Sequence, residues 1–169
     1  MASHIVLIRH ASAEVKSNGG DSDRALTSQG RDESRIAARV FKDFEVPKAQ
    51  RIFTSGYKRA EQTLAEFSSG KDAKVIRNET FFPEGDVAGA VALIKETLLE
   101  MSLKFENPCV WVVGHNPSLE KILARLSPSI FECLQELQKA SSVWIEWESN
   151  VRDLAGEPRL RAFYPKPRP

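Results

Sequence analysis

Cysteine is scarce in this chain: only Cys109 and Cys133 occur among 169 residues, and they form no Cys-x-x-Cys spacing. That argues against a disulfide scaffold and against a metal site built on thiolates, and both thiols are expected to act as small apolar side chains in a reducing compartment. An excess of one charge is lacking too. With 24 Lys and Arg against 23 Asp and Glu the net charge is +1, so no global field recruits nucleic acid and no acidic surplus favours disorder. Any affinity for an anion has to be local. There is no apolar run of about 18 residues and no basic stretch leading into a long apolar one, so neither a membrane span nor a signal peptide is expected. Repeats and low-complexity tracts are absent as well. The expectation is one domain over residues 1–169, cytoplasmic, and long enough to bury a sizeable core.

What is present is an alternation of short apolar runs with longer amphipathic stretches, the pattern of an α/β sheet with helices on its faces. Strands are expected at 4–9, 51–55, 74–77 and 109–113, with two more of β-rich composition at 143–147 and 160–163. Helices are expected after Thr27, a suitable N-cap, over 58–67, and over 87–103. The three tryptophans, Trp111, Trp144 and Trp147, fall on strands and read as packing residues. Lys166 and Arg168 read as solvated ends of the tail.

Two of the apolar strands end in an unusual way. IVLI runs straight into Arg9 and His10, and CVWVV runs into Gly114 and His115. In an open α/β sheet the carboxyl ends of parallel strands line up along one edge, where ligands bind. Arg59, in the first turn of the helix after the second strand, belongs to the same edge. Two arginines and two histidines in one pocket repel one another unless an anion joins them, so the cluster fits a doubly charged tetrahedral group such as phosphate. The helix starts after Ser55 and Asn116 would add N–H donors, with Asn116 expected as an N-cap ahead of Pro117. His4, on the first strand, reads as structural.

IRHASAE, DRALTSQGRDES, RIFTSGYKRAEQT, FFPEGD and VVGHNPSLEKIL, in that order, resemble the motifs of the histidine phosphatase superfamily, which includes the phosphoglycerate mutases. Within it the chain is most similar to the short SixA type of phosphohistidine phosphatase. The resemblance implies a three-layer α/β/α sandwich with a mostly parallel central sheet. It implies His10 as the nucleophile that takes the phosphoryl group, Arg9 and Arg59 as its clamp, His115 as a stabiliser of its charge, and Arg24 as a further phosphate ligand. No metal and no cofactor are implied. A carboxylic acid protonates the leaving group in superfamily members that cleave esters, and the candidates here are Glu84 and Asp86; the alternative for Asp86 is to cap the following helix. Glu14 is a poorer candidate, and Ser12 and Ser118 read as loop and cap residues. Two departures stand out: Ala11 follows His10 where the superfamily has Gly, and Gly56 follows Ser55 where many relatives have Pro.

The expected function is a metal-independent phosphatase acting on phosphohistidine carried by a phosphotransfer protein, with inorganic phosphate as product. Only a short loop containing FFPEGD separates the third strand from the next helix, which leaves no long insertion to close over a small substrate. A small-molecule phosphomonoesterase is the alternative, a mutase comes third, and a phosphate- or phosphoprotein-binding module without turnover is the non-enzymatic one.

Overall fold

A computed structural model describes residues 2–67, 72–148, 154 and 156–167. Its centre is a six-stranded sheet of order β3-β2-β4-β1-β5-β6, made of β1 (Ala2–Arg9), β2 (Arg51–Thr54), β3 (Lys74–Arg77), β4 (Cys109–Gly114), β5 (Ser142–Glu148) and β6 (Arg159–Tyr164). The first four pair in parallel, whereas β5 runs antiparallel to β1 and β6 antiparallel to β5. Parallel strands need crossovers, and the helices that supply them cover both faces. They are α1 (Ser28–Asp43), α2 (Lys58–Ala65), α3 (Val87–Ser102), α4 (Ser118–Leu126) and α5 (Pro128–Leu134).

The continuous apolar character of β1 follows from this double cover. Ile5 and Leu7 point into a core shared with α3, α4 and α5, while Val6 and Ile8 point the other way, towards α1 and α2. In α3 the buried positions Ala90, Val91, Ile94, Thr97, Leu98 and Met101 recur at helical spacing, and each fully buried leucine or isoleucine stabilises the fold by about 1.5–3 kcal/mol. On the other face Phe41 of α1 meets Trp111 and Phe67 edge-on, with ring centroids 5.3 and 4.8 Å away. Trp111 and Trp147 are buried, and Trp144 donates its Nε1–H to His4 Nδ1 at 3.2 Å. His4 is therefore a structural residue of the sheet.

Thr27 caps α1 as expected, its Oγ1 accepting the Gly30 N–H at 3.0 Å. Several expectations need correction. Asn116 is no N-cap: Pro117 holds that position, and the Asn116 amide donates instead to Glu120 and to the Leu137 carbonyl. The short α5 was not foreseen, because its start is written only in Ser127, whose side chain accepts the Ile130 N–H ahead of Pro128. Cys133 is exposed rather than packed, and only Cys109 is buried. Lys166 is not merely solvated, since its Nζ lies 3.0 Å from the buried Glu33 carboxylate. Arg168 falls outside the described residues.

The start of α1 lies hard against the chain that leaves β1. A Cβ at Gly30 would come within 1.9 Å of the Ser12 carbonyl oxygen, which explains the glycine at this helical position. Gly30→Ala is expected to destabilise the fold by about 1–3 kcal/mol through this overlap, read as a lower urea midpoint. An unchanged midpoint would show that the helix can shift at no cost.

Candidate active site

The register of the two central strands builds the site. Arg9 on β1 is paired with Gly114 on β4, so His10 and His115 are each the next residue, and their ring centroids lie 4.9 Å apart. His10 is held on every side. Its N–H donates to the Gly114 carbonyl at 3.0 Å and its carbonyl accepts the Ala140 N–H at 3.2 Å. Nδ1 lies 2.7 Å from the Ala11 carbonyl oxygen, an acceptor only, so the imidazole proton belongs on Nδ1. Nε2 is then the nitrogen with the free lone pair, and it accepts the Arg59 Nε–H at 3.3 Å.

Arg59 is buried at 3% exposure. Its remaining nitrogens reach the Asp21 carbonyl at 2.6 Å and the Asp21 carboxylate at 2.9 Å, and its guanidinium lies over the Tyr57 ring, 4.9 Å from the centroid. Arg24 joins through the same carboxylate, with Nη1 2.7 Å from Asp21 Oδ1. The Asp21 carboxylate, held first by the Arg24 hydrogen bond and then by Arg59, titrates below its usual range. Arg9 donates one Nη1–H to the Leu137 carbonyl at 2.6 Å, and its Nε is buried without a protein partner. His115 Nε2 sits 2.6 Å from Ser55 Oγ. That oxygen also accepts the Tyr57 N–H; when its hydroxyl donates to Nε2 the imidazole proton lies on Nδ1, which is likewise buried and unpartnered.

The electrostatics select neutral imidazoles. Burial, with the cations Arg59, Arg9 and Lys139 adding to it, lowers the His10 pKa to about 4. Burial, then His10 and Arg59, lowers that of His115 to about 3. Near neutral pH the cluster is thus two uncharged rings between two guanidinium groups, and burial also pulls the Arg9 pKa down.

Of the residues singled out in the sequence, Arg9, His10, Arg59 and His115 come together, and Arg24 stands behind Asp21. Glu84 and Asp86 line a neighbouring cavity of about 580 Å³ with Asp21, Tyr57, Glu79 and Phe82. Asp86 occupies the N-cap position of α3 but makes no side-chain cap bond. Among the described residues no group of His, Cys, Asp or Glu is arranged to hold a metal ion, and no helix is long and apolar enough to cross a membrane. Sequence reasoning missed Asp21 as the link between two arginines and Tyr57 as the ring against His115, 5.0 Å centroid to centroid; neither carries a local signal. Ala11 needs no glycine because its φ is not among the positive ones, whereas Gly56 has φ 76°, a conformation closed to the proline of relatives.

Two neutral imidazoles and two guanidinium groups gather at the carboxyl edge of the parallel strands, an arrangement whose charge suits a tetrahedral anion. The sequence model of the histidine phosphatase superfamily (branch 1) matches residues 5–140, and the chain belongs to that family. Within it, the phosphohistidine phosphatase SixA of Escherichia coli (strain K12) is 33% identical over 125 residues, 73% of this chain and 74% of the relative. The solved structure of the protein histidine phosphatase SixA complexed with tungstate has a TM-score of 0.78 at 24% identity, over 96% of this chain and 97% of that one. Phosphoglycerate mutase from Plasmodium falciparum has a TM-score of 0.64 at 20% identity, over 96% and 91%. These last two show the shared fold, the three-layer phosphoglycerate-mutase-like sandwich expected from the motifs.

The lowered pKa values link stability to pH. Between pH 6.5, the ordinary histidine value, and about 4 the unfolded chain takes up a proton on His10 that the folded chain refuses. Over that window the unfolded state binds more protons, so stability rises with pH and falls as pH drops. Urea midpoints at pH 7, 6 and 5 are expected to decline in that order, and to decline less in a His10→Gln, His115→Gln double variant. Equal slopes in the two proteins would mean that these rings are not held neutral by the fold.

Proposed function

We propose that the protein is a metal-independent phosphatase that works through a phosphohistidine on His10, and that its substrate is phosphohistidine on a phosphotransfer signalling protein. The observation that carries this reading is the His10 ring itself, neutral, with its proton pinned on Nδ1 and its Nε2 lone pair facing Arg59. Such a nitrogen attacks phosphorus as the bond to the leaving nitrogen breaks, and the leaving imidazole keeps that electron pair and takes a proton. Water then adds to phosphorus, the bond to Nε2 breaks, and inorganic phosphate departs. Arg59 and Arg9 hold the phosphoryl oxygens, and the unpartnered Arg9 Nε and His115 Nδ1 are donors that those oxygens would satisfy. The Asp21 carboxylate, half exposed at 55%, can yield Arg59 and Arg24 to a phosphoryl group. The family membership and the activity named for the Escherichia coli relative support the same reading.

A protein substrate is favoured by the surroundings. From β3 to α3 there is only a short 3-10 turn, Glu79–Phe81, and a loop, so this segment is too short to close over a small substrate. The adjoining cavity carries the carboxylates of Glu79, Glu84 and Asp86 beside Tyr57, Phe82 and Pro83. It repels a small polyanion and admits a side chain presented by another protein. An imidazole leaving group needs little acid assistance. The same carboxylates favour a second reading, a small-molecule phosphomonoesterase in which Glu84 or Asp86 protonates an alkoxide. A cytoplasmic location accords with the unpaired thiols of Cys109 and Cys133.

The test is turnover, in the presence of a chelator, of a phosphohistidine-bearing phosphotransfer domain and of a panel of phosphate esters. We expect the phosphoprotein to be preferred, His10→Ala to bind phosphate without turnover, and Arg59→Ala to lose on the order of 10²–10³ in kcat. Preference for an ester, lowered by Glu84→Gln or Asp86→Asn, would establish the second reading. Turnover undiminished in His10→Ala would refute the nucleophile, and loss of activity in chelator would refute the metal-independent chemistry.

A further inference from the structure

Glu33 is fully buried on α1 and is charged, though it lies outside the His10 cluster. Its Oε2 accepts the Ser12 N–H at 2.9 Å, and its Oε1 accepts the Ser12 hydroxyl at 3.0 Å and the Gln29 amide at 2.9 Å. Lys166, from the segment after β6, brings its Nζ to 3.0 Å of the same Oε1. A buried ion pair of this kind adds little to stability over an apolar filling. Its use must be sought in what it holds.

It holds one peptide group. The Ser12 N–H that donates to Glu33 and the Ala11 carbonyl that accepts His10 Nδ1–H at 2.7 Å belong to the same amide. The flanking groups of this segment are also spoken for: the Ala11 N–H donates to Thr63 Oγ1 at 3.0 Å and the Ser12 carbonyl accepts the Thr27 N–H at 3.0 Å. The peptide plane therefore has one orientation. A carboxylate pulling on an amide N–H makes the carbonyl of that amide a stronger acceptor, because bonds in a chain polarise one another.

We propose that Glu33 is a positioning residue for His10, acting through the Ala11–Ser12 peptide group to keep the ring proton on Nδ1 and the lone pair on Nε2. The arrangement places a peptide where a carboxylate would otherwise touch the imidazole directly, and it ties the C-terminal segment, through Lys166, to the nucleophile. It rests on the reading of His10 as nucleophile. A wrong tautomer would present an N–H to phosphorus and stop the reaction.

The experiment combines nitrogen-15 NMR of the His10 ring with steady-state kinetics for the wild type, Glu33→Gln and Glu33→Leu. In the wild type a single Nδ1–H tautomer is expected. In Glu33→Leu both tautomers should appear, and kcat should fall by on the order of tenfold or more with KM little changed. Glu33→Gln keeps a neutral acceptor for Ser12 and should retain the tautomer, with kcat between the two. A single Nδ1–H tautomer in Glu33→Leu overturns the proposal, and so does an unchanged kcat. Should the leucine variant not fold, Glu33→Gln decides: a weakened Ser12 N–H bond, seen as an upfield amide proton, with lowered kcat supports the relay, and wild-type values for either overturn it. The ring signals need no substrate. A wild type that ignores phosphohistidine would overturn the substrate reading and leave the tautomer result standing.

Discussion

The pairing of β1 with β4 is the constraint on which the rest depends. Because the two strands are parallel and in the register that sets Arg9 opposite Gly114, both chains leave the sheet at the same height and both leave it with a histidine. Neighbouring strands in a sheet are about 4.8 Å apart, and the two rings, at 4.9 Å, inherit that spacing directly. A slip of one residue would turn His10 to the opposite face and separate the pair. The aliphatic runs on both strands resist such a slip, since each side chain in them has a place in one of the two cores. The hydrophobic core and the site are thus specified by the same hydrogen-bond ladder.

Charge is balanced in the same economical manner. Guanidinium groups would normally drive an adjacent histidine to stay neutral, and burial does the same, so the two effects add in His10 and His115. The neutrality that a nucleophilic imidazole requires is a result of its surroundings and needs no separate device. Three residues that are not themselves reactive keep the geometry: Ser55 turns His115, Asp21 turns Arg59, and the Leu137 carbonyl turns Arg9.

Much of this was legible in the sequence, for a definable reason. Strands that are buried on both faces must be apolar throughout, so the abrupt arrival of Arg9-His10 and Gly114-His115 marks their carboxyl ends with little ambiguity. The helix containing Arg59 follows its strand closely enough to be assigned to the same edge. Long-range polar contacts were not legible. Asp21 and Arg59, or Glu33 and Lys166, are joined by tertiary folding alone, and nothing in the composition of either partner's neighbourhood marks the contact. Asn116 shows the other limit: its residue type favours a cap, but its Nδ2–H groups are turned to Glu120 and the Leu137 carbonyl, its Oδ1 meets no N–H, and Pro117 takes the cap position. Cys133 was misjudged because it lies on α5, a helix too short to show a period.

The carboxylate of Asp21, shared between Arg24 and Arg59, has a consequence for exchange with solvent. These two cations never stand bare, because the chain carries its own anion for them on an exposed 3-10 turn. On the reading of these arginines as phosphate ligands, an incoming dianion would replace a tethered monoanion rather than water alone, so the net gain on entry would be smaller than the charges of the arginines would give, and the tether would favour departure of the spent anion afterwards. The same competition would resist abundant free phosphate, leaving the site buffered against its own product.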